Sequence, residues 1–153
     1  MPVAWRFLNK TDIMHTSMPT PSKTITELQS APITRMLGAQ IQSLDLTTGT
    51  LVTHYTADEQ FLNPARQVQG GMLGAMLDDV TAVLVTATLE PGSFCATLNL
   101  NVSFLSSAVP GTLVGKASFE RRGKSICHVR GEIWQGETLT ASAVAVCMVR
   151  KPR

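Results

Sequence analysis

Two adjacent aspartates, Asp78 and Asp79, sit in the middle of a long apolar run, GGMLGAMLDDVTAVLVTATLE, that extends from Gly70 to Glu90. A carboxylate in such surroundings is costly unless it is hydrogen-bonded or put to use. The chemistry open to it is acid/base work. Gly70, Gly74 and Asp78 are spaced four apart, which puts them on one stripe of a helix. Glycine in a helix interior costs about 1 kcal/mol relative to alanine, so the stripe points to something that must approach closely. Asp79 lies about 100° further around, on a face with Met72, Ala75 and Met76, so only one aspartate can face a given cleft. We assign chemistry to Asp78 and a supporting or structural role to Asp79. The plain alternative for either is a hydrogen bond to a neighbouring strand or loop.

The start of this helix is a second candidate. Asn63-Pro64 opens a loop, and Gln69-Gly70-Gly71 leads into the apolar run. The first N–H groups of a helix lack internal partners and carry the positive end of its dipole. Glycines leave those donors bare, so a substrate carbonyl could rest on them and a developing oxyanion would be stabilised.

These groups need a frame. Apolar residues fall on every side of the 3.6-residue period between Gly70 and Glu90, which predicts a buried helix rather than a surface one. A membrane span is the rival, but each central aspartate would cost roughly 2.5–3.5 kcal/mol there, and no basic flank anchors the segment. Beyond Pro91-Gly92 the pattern changes to alternation. Leu98, Leu100, Val102 and Phe104 share one predicted face, with Thr97, Asn99, Asn101 and Ser103 on the other. Leu113 to Phe119, Cys127 to Ile133 and Leu139 to Cys147 repeat it, with short separators at Arg121–Ser125 and Gln135–Glu137 of hairpin length. Two earlier strands are predicted near Ala39–Leu46 and Leu51–Ala57, joined at Thr47-Thr48-Gly49. Thr24 and Glu27 have the spacing of a capping box, so a short helix should start there. The only large apolar partner for the sheet is the helix. The predicted architecture is therefore α+β, a curved antiparallel sheet wrapped around one long central helix.

Residues 1–23 show no clear period and read as a flexible extension, with Ala4, Trp5, Phe7 and Leu8 as a cluster that could pack on a partner subunit. Residues 24–153 read as a single domain. Hydrophobic residues make up 44% of the chain and charged ones 16%, which favours folding. A net charge of +2 and an aromatic content of 5% argue against nucleic acid as a partner. Cys95, Cys127 and Cys147 lack metal spacing, so they read as small buried hydrophobes in a reducing compartment. No metal or cofactor is expected. With no signal peptide evident, the cytoplasm is the expected location. His15, His54 and His128 are far apart in sequence, and no GxSxG elbow accompanies them, so no catalytic histidine is expected.

In order and spacing, these motifs resemble the hotdog-fold acyl-CoA thioesterases of the phenylacetate-pathway type. Such proteins show Asn, then His-Gly-Gly, then a catalytic Asp nine residues after the His. Asn63, Gln69, Gly70 and Asp78 occupy those places without a shift. TLNLNVSFLSSAVPG resembles the family's third strand and its turn, RRGKS from Arg121 resembles the next hairpin, and the likeness spans about residues 30–150. The resemblance implies a homodimer or homotetramer that hydrolyses acyl-CoA, with active sites between subunits. By that analogy Gly70 N–H polarises the thioester carbonyl, with Gly71 beside it. Asp78 of the opposite chain acts as general base or nucleophile. Asn63 orients water or substrate, and Thr97 helps hold the water. Ser106 and the Arg121, Arg122, Lys124 turn would contact the CoA phosphates. For that turn a solvated hairpin tip is the equal alternative.

One position departs from the pattern. Gln69 stands where histidine is common, and an amide can hold a carbonyl but cannot titrate near neutral pH. An acyl-CoA-binding module without catalysis is therefore the second reading. Hydratase chemistry is third, because it usually needs a histidine at the start of the helix.

Overall fold

The computed structural model describes residues 23–151. The cluster Ala4, Trp5, Phe7 and Leu8, and His15, lie outside the described residues. The described residues begin with two short helices, α1 (Ile25–Leu28) and α2 (Pro32–Met36). Thr24 caps α1 with the anticipated box: its hydroxyl accepts from Glu27 N–H, and the Glu27 carboxylate accepts from Thr24 N–H. Strands β1 (Gln40–Asp45) and β2 (Thr50–Ala57) follow, then the long helix α3 (Gly70–Thr86). Four strands complete the fold: β3 (Phe94–Phe104), β4 (Gly111–Arg122), β5 (Ile126–Gln135) and β6 (Thr138–Arg150).

The six strands of the described residues form one antiparallel sheet in the order β1-β2-β4-β5-β6-β3. Helix α3 lies across it, touching β2 to β6. Leu73, Leu77, Val80 and Leu84 bury against Leu113, Ala117, Val129, Ile133, Ala143 and Ala145. This is the hotdog arrangement. Close contact depends on Gly131 of β5, where a Cβ would stand 2.8 Å from Thr81 Cγ2 and 3.2 Å from Leu77 Cδ2. Among the described residues, no helix is long and apolar enough to cross a membrane.

Two sequence expectations need correction. Helix α3 ends at Thr86 rather than Glu90. Its last carbonyls are taken locally, since Thr88 Oγ1 donates to Val85 O at 2.8 Å, and Pro91 disfavours helix at the residue before it. The second correction concerns β3. Thr97 pairs with Cys147 but Asn99 pairs with Val146, so Leu98 is an extra residue in the strand. The bulge resets the alternation. Thr97 joins Leu100 and Val102 on the helix side, while Leu98 is left 54% exposed. Strand β3 lies at the sheet edge, so apolar residues along it are not forced into the core.

Candidate active site

The bulge has a chemical consequence. Thr97, turned towards α3, donates its hydroxyl to Asp78 Oδ1 at 2.7 Å. Asp78 is partly exposed and lines a cavity of about 580 Å³ between α3 and the α1–α2 stretch. Leu28, Ile33, Ala82 and Val83 supply apolar walls, and Asp79 and Thr34 close one side.

Asp79 is placed differently. It is buried, with Thr34 Oγ1 donating to Oδ1 at 2.7 Å and Tyr55 OH donating to Oδ2 at 2.8 Å. Burial pushes its carboxyl above the ordinary value, aided by the nearby Asp78 charge, while the two hydroxyl bonds pull it down. Burial likewise pushes the Tyr55 phenol well up, with the Asp79 charge adding to it. Room for the Tyr55 ring comes from Gly115 of β4, where a Cβ would stand 2.6 Å from Tyr55 Cε2. Neither Thr34 nor Tyr55 was singled out from sequence. The available signal was that the chain's one tyrosine falls at an inward position of an alternating strand, where its hydroxyl must find a partner.

The loop before α3 is held by Asn63. Its carboxamide oxygen accepts from Ala65 N–H at 2.9 Å and Gln67 N–H at 3.1 Å. Gln69 is the N-cap of α3 without a side-chain cap bond, and its N–H donates to Phe61 O. Its carbonyl takes the N–H groups of Met72 and Leu73. Among the described residues no acceptor meets Gly70 or Gly71 N–H, so two donors at the positive end of the helix remain available. A Cβ at Gly70 would lie 3.3 Å from the Phe104 ring, whereas Cβ atoms at Gly71 and Gly74 would meet nothing within 4 Å.

Within one chain these groups fall into separate places. Gly70 and Asp78 are roughly 12 Å apart along the axis of a rigid helix. Ser106 lies at the Gly70 end, since Val68 N–H donates to Ala108 O. The basic hairpin tip is at the other end, where Arg122 donates to Thr88 O at 3.0 Å and so caps the carbonyls beyond α3. Arg122 and Lys124, with Lys151 and Glu90, line a second cavity of about 370 Å³. Arg121 is exposed, opposite His128. From Arg122 the register runs through Cys127 and Cys147 to Thr97, a span of roughly 14 Å. All three cysteines are free thiols; Cys127 and Cys147 are buried, whereas Cys95 is partly exposed. Among the described residues, no group of His, Cys, Asp or Glu could hold a metal.

The comparisons with known proteins bear on this geometry. The family pattern of the thioesterase superfamily matches residues 68–142, which include α3 and most of the sheet. A phenylacetic acid degradation-related protein of Ralstonia eutropha JMP134 is 55% identical over 80% of this chain and 96% of its own, with a TM-score of 0.76. The PaaI protein of the E. coli phenylacetic acid degradation operon is 23% identical, covering 80% and 87% of the two chains with a TM-score of 0.72. A thioesterase of Haemophilus influenzae, 18% identical, covers 88% and 96% with a TM-score of 0.78. Those last two share the fold. Among curated proteins, none matches.

Proposed function

The chain belongs to the thioesterase superfamily, and from that premise we propose that it hydrolyses acyl-CoA thioesters at sites shared between two subunits. The observation that carries this reading is the Thr97–Asp78 pair: a partly exposed carboxylate, held by a hydroxyl, on the wall of a cavity large enough for an acyl group. Thr97 gives its proton to Asp78 Oδ1, which leaves Asp78 Oδ2 to receive a water. Asp78 then takes a proton as that water attacks the thioester carbonyl; in the nucleophilic alternative it attacks the carbonyl itself, and water afterwards cleaves the acyl-Asp78 anhydride and supplies the proton. Negative charge grows on the carbonyl oxygen, and the free Gly70 and Gly71 N–H groups are the donors suited to it. Collapse of the tetrahedral intermediate expels the CoA thiolate, which recovers the proton. Asn63 and Gln69 fix the backbone that presents those donors, the Asn63 side chain by accepting from the loop.

Separation along α3 is the argument for two chains. Donors about 12 Å from the carboxylate cannot serve the same carbon, whereas a second copy running antiparallel can bring its own Gly70 to Asp78. The unpaired edge of β3, with Phe94, Leu98 and Phe104 exposed, and the open space over Gly71 and Gly74 suit a homodimer. Residues 24–153 act in this reading as one domain. Ser106, Arg121, Arg122 and Lys124 are assigned to CoA, and the acyl group is aryl or medium-chain, in keeping with relatives named for phenylacetic acid degradation.

The test is thiol release from a panel of aryl and aliphatic acyl-CoAs, with wild type beside Asp78→Ala. Release that vanishes in the variant supports the reading. Tight binding of CoA esters without release from any of them would favour a binding module in which Gln69 marks a lost activity.

A further inference from the structure

Helix α2 is anchored at its C-cap, where Leu37 is fully buried and accepts from Thr56 N–H of β2. It has five residues and no side-chain N-cap, and an isolated helix of that length is not stable in water. Two of its apolar side chains, Ile33 and Met36, are 47% and 51% exposed, and Thr34 is its only buried residue. Yet α2 forms one wall of the cavity that Asp78 opens into, facing Ala82 and Val83 of α3. Into α3 it sends one polar tie, the 2.7 Å bond from Thr34 Oγ1 to Asp79 Oδ1. The other Asp79 oxygen is held by Tyr55 from the sheet. With both oxygens engaged and the residue buried, Asp79 is not free to meet a substrate. A buried carboxylate is a costly way to attach a surface helix, since apolar packing would do so at lower cost. What it supplies over apolar packing is directional geometry.

We infer that the Tyr55–Asp79–Thr34 clasp is a specificity device: it fixes the distance between α2 and α3 and so sets which acyl groups enter the cavity beside Asp78. The inference rests on the proposed acyl-CoA chemistry for the identity of the ligand. Asp79 and Thr34 are positioning residues here, acting on the acyl group through the wall that carries Ile33.

The experiment has two arms. In the first, kcat and KM are measured for acetyl-, hexanoyl-, dodecanoyl- and phenylacetyl-CoA with wild type, Thr34→Val, Thr34→Ser, Asp79→Asn and Ile33→Ala. In the second, calorimetry gives the affinities of the same proteins for uncleavable S-alkyl and S-phenethyl thioether analogues of CoA. Loss of the clasp in Thr34→Val and Asp79→Asn should change the ratio of kcat/KM between small and bulky acyl groups by about tenfold, mainly through KM. Thr34→Ser keeps the hydroxyl and should retain the wild-type ratios. Ile33→Ala alters an exposed residue of the same wall without threatening the fold, and should shift preference towards bulkier groups. Ratios that stay constant while all rates fall together would overturn the inference, as would Thr34→Ser behaving like Thr34→Val. If wild type cleaves none of the esters, the second arm still decides. Analogue affinities that lose their size dependence in Thr34→Val support the clasp while the hydrolase reading fails. Affinities indifferent to the substitution, or no analogue binding at all, overturn the clasp.

Discussion

Asp78 and Thr97 are nineteen residues apart in sequence, and they meet because β3 carries one residue too many, Leu98. Without that bulge Thr97 would point away from α3. Removal of the hydroxyl in Thr97→Val should cost roughly 1–2 kcal/mol of catalysis, a drop of about five- to thirtyfold in kcat. Thr97 is exposed, so the melting temperature should barely change. Thr97→Ser should restore most of the rate. Turnover of the valine variant equal to wild type would remove Thr97 from the mechanism.

The two aspartates should separate cleanly. Asp78→Ala should abolish hydrolysis with the oligomer intact, because its side chain is partly exposed and bonds only to Thr97 among the described residues. Asp79→Asn should remain active, with the altered acyl preference expected from loss of the clasp, and should also change how stability depends on pH. Burial raises the Asp79 carboxyl in the folded chain, so as pH rises above about 4 the unfolded chain ionises first. Stability from this group is therefore full in acid and falls as pH climbs through the raised value. Urea midpoints compared across pH should show the wild type losing ground to Asp79→Asn over that interval. The opposite slope would mean that the hydroxyl bonds, not burial, dominate. An inactive but folded Asp79→Asn would mean that the chemistry belongs to Asp79.

A site shared between chains predicts complementation. Gly70→Val covers the helix N–H and presses on the Phe104 ring, and Asp78→Ala removes the carboxylate, so each variant alone should be inactive. Unfolded together and refolded as an equal mixture, half of the dimers are mixed, and each holds one intact site of two. Activity should return to about a quarter of wild type. No recovery, with mixed dimers shown by mass, would exclude the shared site.

Much of this frame was legible because it rests on periodicity. The helix from Gly70, the later strands and the Thr24–Glu27 box each follow from residue type and spacing. The face of Thr97 did not, because Leu98, Leu100, Val102 and Phe104 alternate so regularly that one inserted residue leaves no mark in the pattern. At an edge strand, exposed leucine carries little penalty, so composition does not betray the slip. The clasp escaped for another reason. Thr34, Tyr55 and Asp79 come from three elements, and their convergence depends on tertiary packing around Gly115. The Gly70–Asp78 stripe was visible, but the use proposed for it depends on a second chain.

At the basic tip, two neighbouring cations should behave differently. Arg122 already donates to Thr88 O beyond the end of α3, so Arg122→Ala should lower stability by about 1 kcal/mol as well as weaken any anion contact. Lys124 shows no such bond among the described residues and lines the same cavity. Lys124→Ala should therefore leave stability unchanged and raise KM several-fold for acyl-CoA. Acyl-pantetheine lacks the nucleotide phosphates, so its KM should not move. The difference should shrink as salt is added, because an exposed ammonium acts on phosphate through a screened field. If both thioesters respond alike, or neither does, the tip is a solvated hairpin and the CoA phosphates are held elsewhere.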